Sequence, residues 1–445
     1  MSRSKTADYN YGFDIGSRFR FLFKILSNLD IGDKIFSEAK EHTLVLRDYY
    51  PQRLERLKGL ACYLGTEPLK LQALSIHLAK TIKGGCTATF SAPPATRDGE
   101  VYLSWNTDIV GAARITCYLP FYIADIPGCN KYVSFGIPCV ISFGLLNEFG
   151  LSSIPTAVGM KDGGGEGLMD YELNNVCMEN CRDVPQVVEV YKNTKLYSLP
   201  ALGAGMLLNL NCIWGDAAGR GVAIEHSSNH IHYQYAEDGI LAITNHHQFL
   251  DRTLTGSPTP YELPAISGSY CRLGRAWNLL RKNRGNIDFE VVKRIMSDHY
   301  LEVEHIKDYL YEEPIDDGTI CVHYWNILSY LRERRFKRAM EAYLMGKTIA
   351  SLIIQPKRFI IWRCRGNPCN VPYKPIYFED ILHGHSTRNV SFSIAMNTKL
   401  ARSFWRLPGI KRFMNKIFRP ILKKWSILFF TALEKLVPVE TKTYK

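Results

Sequence analysis

Gly84-Gly85-Cys86-Thr87-Ala88-Thr89-Phe90 and, beyond a loop holding Pro93-Pro94 and Asp98-Gly99, Trp105-Asn106-Thr107-Asp108 decide how this chain is read. Cys86–Phe90 and Gly99–Asn106 alternate in character, and Asp98-Gly99 between them is a hairpin signal, so the runs are expected to pair as antiparallel strands. A hairpin returns Asp108 to the start of the first strand, beside an internal cysteine preceded by two glycines. That pattern suits a chain that cuts itself at Gly85–Cys86 and then uses Cys86 as an N-terminal nucleophile.

The chemistry favours such a cut. A free thiol titrates near ~8.5 and needs a base or a positive charge to become thiolate at neutral pH. An α-amino group, at about 7.7–8.0, is a usable general base, and cleavage would place it on the same residue as the sulfur. Gly85 fits the position before the scissile bond because a residue without Cβ lets the thiol approach the preceding carbonyl.

Working outward, the segment before Cys86 reads as mainly helical. A turn precedes an amphipathic stretch within 11–30. Leu54, Leu57, Leu60, Ala61 and Leu64 repeat at helical spacing until Gly65, and Thr66 with Pro68 opens another helix. After Cys86 strands dominate. Leu207–Trp214 and Gly221–Glu225 flank a turn, Gly239–Thr244, Thr348–Gln355 and Arg358–Arg363 add strands, and Ile115–Leu146 is cut by prolines into strands and turns. Asp183–Lys192, Gly274–Lys282 and 328–345 read as helices. The glycine-rich Lys161–Gly167 lacks the lysine and hydroxyl of a phosphate loop and reads as a mobile surface loop. Hairpins with helices between them indicate an α+β layered domain.

The 445 residues carry a net charge of +12, but residues 401–445 hold 11 Lys or Arg against 2 Asp or Glu. The body is therefore near neutral, and without zinc-finger or RNP signatures no nucleic-acid partner is expected. Twelve cysteines and no signal peptide point to reduced thiols in the cytoplasm. No run of 18 apolar residues predicts a spanning helix.

Further pieces follow in order: Asn147-Glu148-Phe149-Gly150-Leu151, Gly215-Asp216 with Glu225, Thr244-Asn245-His246, and Ser269-Tyr270-Cys271-Arg272. Asn245 ends a strand, where its amide could donate to an oxyanion. With Gly12–Gly16, Leu57-Lys58-Gly59-Leu60-Ala61, Cys86-Thr87 and Asn106-x-Asp108, the series resembles the acyl-CoA:6-aminopenicillanate acyltransferase-like family of N-terminal nucleophile hydrolases (peptidase family C45). That family is related to penicillin V acylases and bile-salt hydrolases, and the resemblance covers most of residues 9–380.

The resemblance implies a four-layer αββα sandwich. A helical prosegment at 1–85 would become the α chain of an α/β heterodimer, with a catalytic β chain at 86–400. It makes Cys86 the nucleophile and, through its amine, the base. Asp108 holds that amine, Asn245 is an oxyanion donor, and Arg272 orients the Cys86/Asp108 pair. Trp105 stands where bile-salt hydrolases have arginine and acyltransferases often glutamine; Trp105, Ser152 and Ala157 are the candidate substrate-binding positions. The implied activity is hydrolysis of linear, non-peptide amides through an S-acyl enzyme. Transfer of an acyl group from acyl-CoA to an amine, or a non-catalytic membrane-associated scaffold with the same fold, remain as alternatives. No cofactor is expected, acyl-CoA being a possible substrate.

His226, His230 and His232 have metal-like spacing without a matching fourth partner, His383-Gly384-His385 reads as a polar loop, and Cys364/Cys369 has a spacing that specifies no zinc; no metal is expected. In the tail, Ile410, Phe413, Met414, Ile417, Phe418, Ile421, Leu422 and Trp425 recur at helical spacing with basic residues between them, and Pro420 should kink the helix. A basic face opposite an apolar one reads as an interfacial helix on an anionic membrane, or as a helix docked on the domain or a partner.

Overall fold

Two antiparallel sheets face each other. The computed structural model describes residues 6–26, 31–81, 84–109, 121–200, 207–260, 262, 266–300, 318–323, 332–334 and 347–383. The expected helix at 328–345 falls largely outside these residues. His385, the domain limit at 400 and the 401–445 tail fall wholly outside them.

Among the described residues the N-terminal segment forms five helices: α1 (Ala7–Arg18), α2 (Arg20–Leu26), α3 (Asp33–Tyr49), α4 (Pro51–Leu64) and α5 (Pro68–Thr81). The amphipathic stretch expected as one helix is two, broken at Phe19. α4 starts with Pro51 and stops at Gly65, whose φ of 64° is the left-handed cap conformation that favours glycine.

Among the described residues one sheet holds six strands in the order β11-β1-β2-β12-β13-β14. They are β1 (Gly84–Ser91), β2 (Tyr102–Ile109), β11 (Ile240–Ile243), β12 (Lys347–Gln355), β13 (Ile360–Cys364) and β14 (Lys374–Tyr377). The second sheet runs β10-β9-β8-β6-β5-β4-β3 with the short β7 beside β8. Its strands are β3 (Phe121–Ala124), β4 (Tyr132–Ile137), β5 (Ile141–Asn147), β6 (Ser152–Met160), β7 (Leu199–Pro200), β8 (Leu207–Gly215), β9 (Gly221–His226) and β10 (Ile231–Tyr235).

Side-chain alternation sorts the layers. Phe90, Leu103, Trp105, Leu241, Ile243, Leu352 and Ile354 enter the core between the sheets, against Ile154 and Ile213. Tyr102, Ile240, Ala242 and Ile353 point the other way, into a core with α9 (Ser267–Lys282) and α10 (Phe289–Met296), which follow the short α8 (Arg252–Thr255). α6 (Asp170–Asn180) and α7 (Val184–Asn193) pack on β5 and β8 of the second sheet. The result is an α+β, four-layer αββα sandwich.

The N-terminal helices have their own core, which also takes in Ile137, Val140, Met169 and Tyr171 of the sandwich. Buried charge fastens them to α6. Arg56 is paired with Glu179 at 2.5 Å, Tyr50 donates to the same carboxylate at 2.6 Å, and Glu172 meets His42 at 2.7 Å and Arg53 at 3.1 Å. The glycine-rich Lys161–Gly167 is tied down, contrary to its reading as a mobile loop. Asp162 accepts from Ser227 and Asn229, and Gly164 O accepts from Ser198 N. Among the described residues no helix is long and apolar enough to cross a membrane.

Candidate active site

Three strands line up one rung of the six-stranded sheet. Gly85 lies opposite Asp108, and Asp108 lies opposite Thr348. The β2–β12 register shifts between Thr348 and Ala350, an irregularity of the kind that re-aims a side chain next to a site. The Thr348 hydroxyl donates to Asp108 Oδ1 at 2.6 Å, and both side chains are buried. Cys86, one residue on, belongs to the core between the sheets.

The β1–β11 ladder ends at Ala88–Ile243, and its register continues to Cys86 opposite Asn245. There the Asn245 side chain replaces the backbone rung: Oδ1 accepts from Cys86 N at 2.7 Å. The same oxygen accepts from Arg272 Nη2 at 2.7 Å. Two donors on one oxygen orient the amide, so Nδ2 is the group that donates to Ala157 O, at 2.9 Å. Among the described residues β5 pairs with β6 at Leu146–Ser152 and not as far along as Ala157.

α9 sets the two groups that hold Asn245. Ser269 Oγ accepts from Asn245 N at 2.8 Å, and Arg272, three residues along, shares its helix face. His246 packs face to face on Tyr270 with centroids 3.7 Å apart and lies 2.8 Å from Ser269 Oγ through Nδ1. Burial, then the Arg252 and Arg272 charges, push its imidazole down to about 3, so it is neutral here and serves the hydroxyl.

Gly85 fills a gap where even a Cβ would be tight. A Cβ on Gly85 would stand 3.0 Å from Arg272 Nη2 and 3.3 Å from Asp108 Oδ2. The Gly85–Cys86 peptide is thus flanked by a cation, a carboxylate and an amide oxygen. Burial first, and then the Asp108 charge, push the Cys86 thiol up to about 11; Trp105, Arg272 and the Ala157 backbone act in the opposite sense. In the intact chain the sulfur is a protonated thiol at neutral pH. An amine created at Cys86 N would inherit the Asn245 contact and form beside the Asp108 carboxylate.

The structure therefore brings together Cys86, Asp108, Asn245, Arg272, Trp105 and Ala157. It does not bring in Ser152, which lies five strand positions from Ala157, roughly 17 Å along β6. His226, His230 and His232 do not converge. His226 pairs with Asp170 at 2.6 Å, His230 with Asp162 at 3.2 Å, and His232 stacks on Phe249. Thr348 escaped the sequence reading because its contact depends on β12 lying beside β2, across 240 residues. Ser269 was within a quoted motif, but its bond to Asn245 N follows only from where α9 meets β11.

No family model matches the chain, and no curated protein matches it. Among solved structures it is similar to two forms of the conjugated bile acid hydrolase from Clostridium perfringens. For a cysteine-to-alanine mutant the identity is 14%, covering 66% of this chain and 93% of that one, with a TM-score of 0.37. For an arginine-to-leucine variant the figures are 15%, 66% and 93%, with a TM-score of 0.38. The penicillin V acylase from Agrobacterium tumefaciens is similar at 14% identity over 66% of this chain and 86% of that one, with a TM-score of 0.32. These identities and scores are too low to carry residue roles across. The four-layer architecture rests on the strand order and helix packing given above.

Proposed function

We propose that the chain is an autoprocessed N-terminal-cysteine amidohydrolase acting on linear, non-peptide amides. The observation that supports this best is the Gly85–Cys86 peptide itself. Its N–H is taken by Asn245 Oδ1, and a side chain on the residue before it would press on Arg272 and Asp108.

Self-cleavage begins with the Cys86 sulfur adding to the Gly85 carbonyl carbon. The C–N bond breaks, the thiol proton ends on the departing nitrogen, and a thioester joins Gly85 to the Cys86 side chain. Water hydrolyses the thioester, leaving a Gly85 carboxylate and a Cys86 with free thiol and free amine.

In the processed enzyme the amine takes the thiol proton and the sulfur adds to a substrate amide carbonyl. Asp108 holds the amine, and Arg272 keeps Asn245 and Asp108 oriented. Asn245 Nδ2 serves the oxyanion by exchanging its bond to Ala157 O for one to the substrate. The C–N bond then breaks with proton return to the leaving amine, and water releases the acid from the S-acyl enzyme. If an amine intercepts the S-acyl enzyme, or acyl-CoA is the donor, the same residues perform transfer. Free acid alone from an acyl amide supports hydrolysis; amide from acyl-CoA plus amine supports transfer. No cofactor takes part.

The two products would stay together as an α/β heterodimer, because Arg53, Arg56 and His42 sit in buried pairs with α6. The basic pattern at 401–445 would place the enzyme on an anionic membrane. A chain cut back to residue 400 that still pelleted with anionic liposomes would remove that part of the reading.

The deciding experiment is intact mass under denaturing conditions for the wild type and Cys86→Ala. Two fragments split before Cys86 in the wild type, with one uncut variant chain, are expected. An uncut wild type would turn the reading to a scaffold with an inert thiol.

A further inference from the structure

Four side chains from three separated segments meet beyond the end of α10. They are His299, just after that helix, Cys321 and His323 on the 318–323 segment, and Cys369 in the turn between β13 and β14. Their ligating atoms all lie within 4.8 Å of one another. The two sulfurs are 3.8 Å apart, and His323 Nε2 is 3.0 Å from Cys369 Sγ and 3.4 Å from Cys321 Sγ.

We propose that His299, Cys321, His323 and Cys369 form a structural Cys2His2 zinc site. Tetrahedral zinc has Zn–S near 2.3 Å and Zn–N near 2.0–2.1 Å, which sets the ligand–ligand edges at about 3.8 Å for S–S and roughly 3.5 Å for S–N. The S–S spacing of 3.8 Å and the Cys321–His323 spacing of 3.4 Å are of that size, and the Cys369–His323 spacing of 3.0 Å is somewhat tighter. Two thiolates with two imidazoles select zinc over magnesium or calcium, and four protein ligands leave no open position for a substrate.

The surroundings match a built site. Asn367 Nδ2 lies 3.6 Å from Cys321 Sγ while it donates to Val322 O at 2.7 Å, as an outer-shell donor to a thiolate does. Cys321 N donates to Asp298 O at 3.0 Å. Both Asp298 carboxylate oxygens are held by Arg275 of α9 at 2.8 Å. Sequence spacing hid the site, because it is set by tertiary packing between residues 299 and 369. The metal would clip together three segments that otherwise close long loops, the situation in which a clip contributes most.

The clip also reaches the rung described above. Val322, between two of the ligands, donates through its N–H to Thr348 Oγ1 at 2.9 Å and accepts from Thr348 N at 3.2 Å. This consequence rests on the role given to Asp108, whereas the zinc site does not.

The test is metal content of the full-length protein, purified with thiols reduced and without chelator, together with its Cys369→Ser, His323→Gln and Cys364→Ser variants. Cys364 lies in the neighbouring strand and is outside the cluster. Roughly one zinc per chain is expected in the wild type and in Cys364→Ser, with at least about a tenfold loss in the other two. Cobalt(II) loaded in place of zinc should give thiolate-to-metal charge-transfer absorption that Cys369→Ser, with one thiolate left, at least halves. A folded wild type that holds no zinc overturns the proposal, as does equal zinc in Cys369→Ser or a Cys321–Cys369 disulfide in peptide mass mapping. If the ligand variants fail to fold, the wild type decides. Native chelation must then strip its zinc and lower its Tm, and a Tm indifferent to chelation overturns the proposal.

Discussion

Thr348 and Asp108 are joined by a 2.6 Å hydrogen bond across the rung that also carries Gly85, so the acid beside the expected cleavage point is fixed by a strand from the far end of the chain. A hydrogen bond to a charged group contributes about 1.5–3 kcal/mol. Thr348→Val should therefore slow chain cleavage by roughly 10- to 100-fold, since about 1.4 kcal/mol is a tenfold change. Thr348→Ser keeps the hydroxyl and should cleave nearly as fast as the wild type. Time courses of intact mass on freshly made protein measure both. Equal rates for Val and wild type would mean that Asp108 needs no help from Thr348.

Gly85→Ala tests the confined peptide. Its methyl would sit 3.0 Å from Arg272 Nη2, close enough that the guanidinium must shift by a few tenths of an ångström. Because Arg272 also donates to Asn245 Oδ1, the shift is passed to the group that holds Cys86 N. Slower cleavage is expected for Gly85→Ala and none for Gly85→Val, with far-UV circular dichroism unchanged. Wild-type cleavage by Gly85→Val would show that the gap is not part of the chemistry.

Alkylation would separate an uncut chain from one processed as proposed. With the thiol pushed up to about 11, an uncut chain holds on the order of one thiolate in a thousand at pH 8. The sign is simple: the thiolate is the reactive form, so labelling should rise about tenfold per pH unit through the neutral range. The uncut form obtained as Gly85→Val should show this steep profile at Cys86. In a chain cleaved as proposed the new amine would accept the thiol proton, and labelling should level off near the amine pKa of about 8. Iodoacetamide with peptide mapping reads both, and parallel profiles would count against the amine as base.

How much of this could be read from the chain alone follows from distance in sequence. β1, β2 and the turn between them are local, so the approach of Asp108 to Cys86 was legible from alternation and Asp98-Gly99. Asn245 was legible as the end of a strand, but not as the acceptor of Cys86 N, which needs β11 to lie beside β1. α6 went unseen because Asp170–Asn180 is buried on nearly every side and shows little periodicity, with Asn174 bonding Gly144 N inside the core. Ser152 shares β6 with Ala157, but five strand positions separate them, a spacing that the sequence motif alone does not show.

The N-terminal helices should remain bound after cleavage and leave in acid. Glu172 is buried, which alone would raise its carboxyl, yet His42 and Arg53 hold it below its ordinary value of 4.5. A depressed carboxyl contributes stability that is present above 4.5 and is lost as the pH falls through its folded value. Size exclusion of the cleaved protein should therefore give one species at neutral pH and separated or aggregated chains in acid. At neutral pH, Arg56→Ala strands the Glu179 carboxylate that is paired with it at 2.5 Å. Breaking one side of a buried pair costs roughly 3–5 kcal/mol. Arg56→Ala should lower Tm and release the α chain, whereas Lys58→Ala on the same helix, in an exposed pair with Glu55, should change neither. Loss of the α chain from the cleaved wild type at neutral pH would show that the buried charges do not hold it.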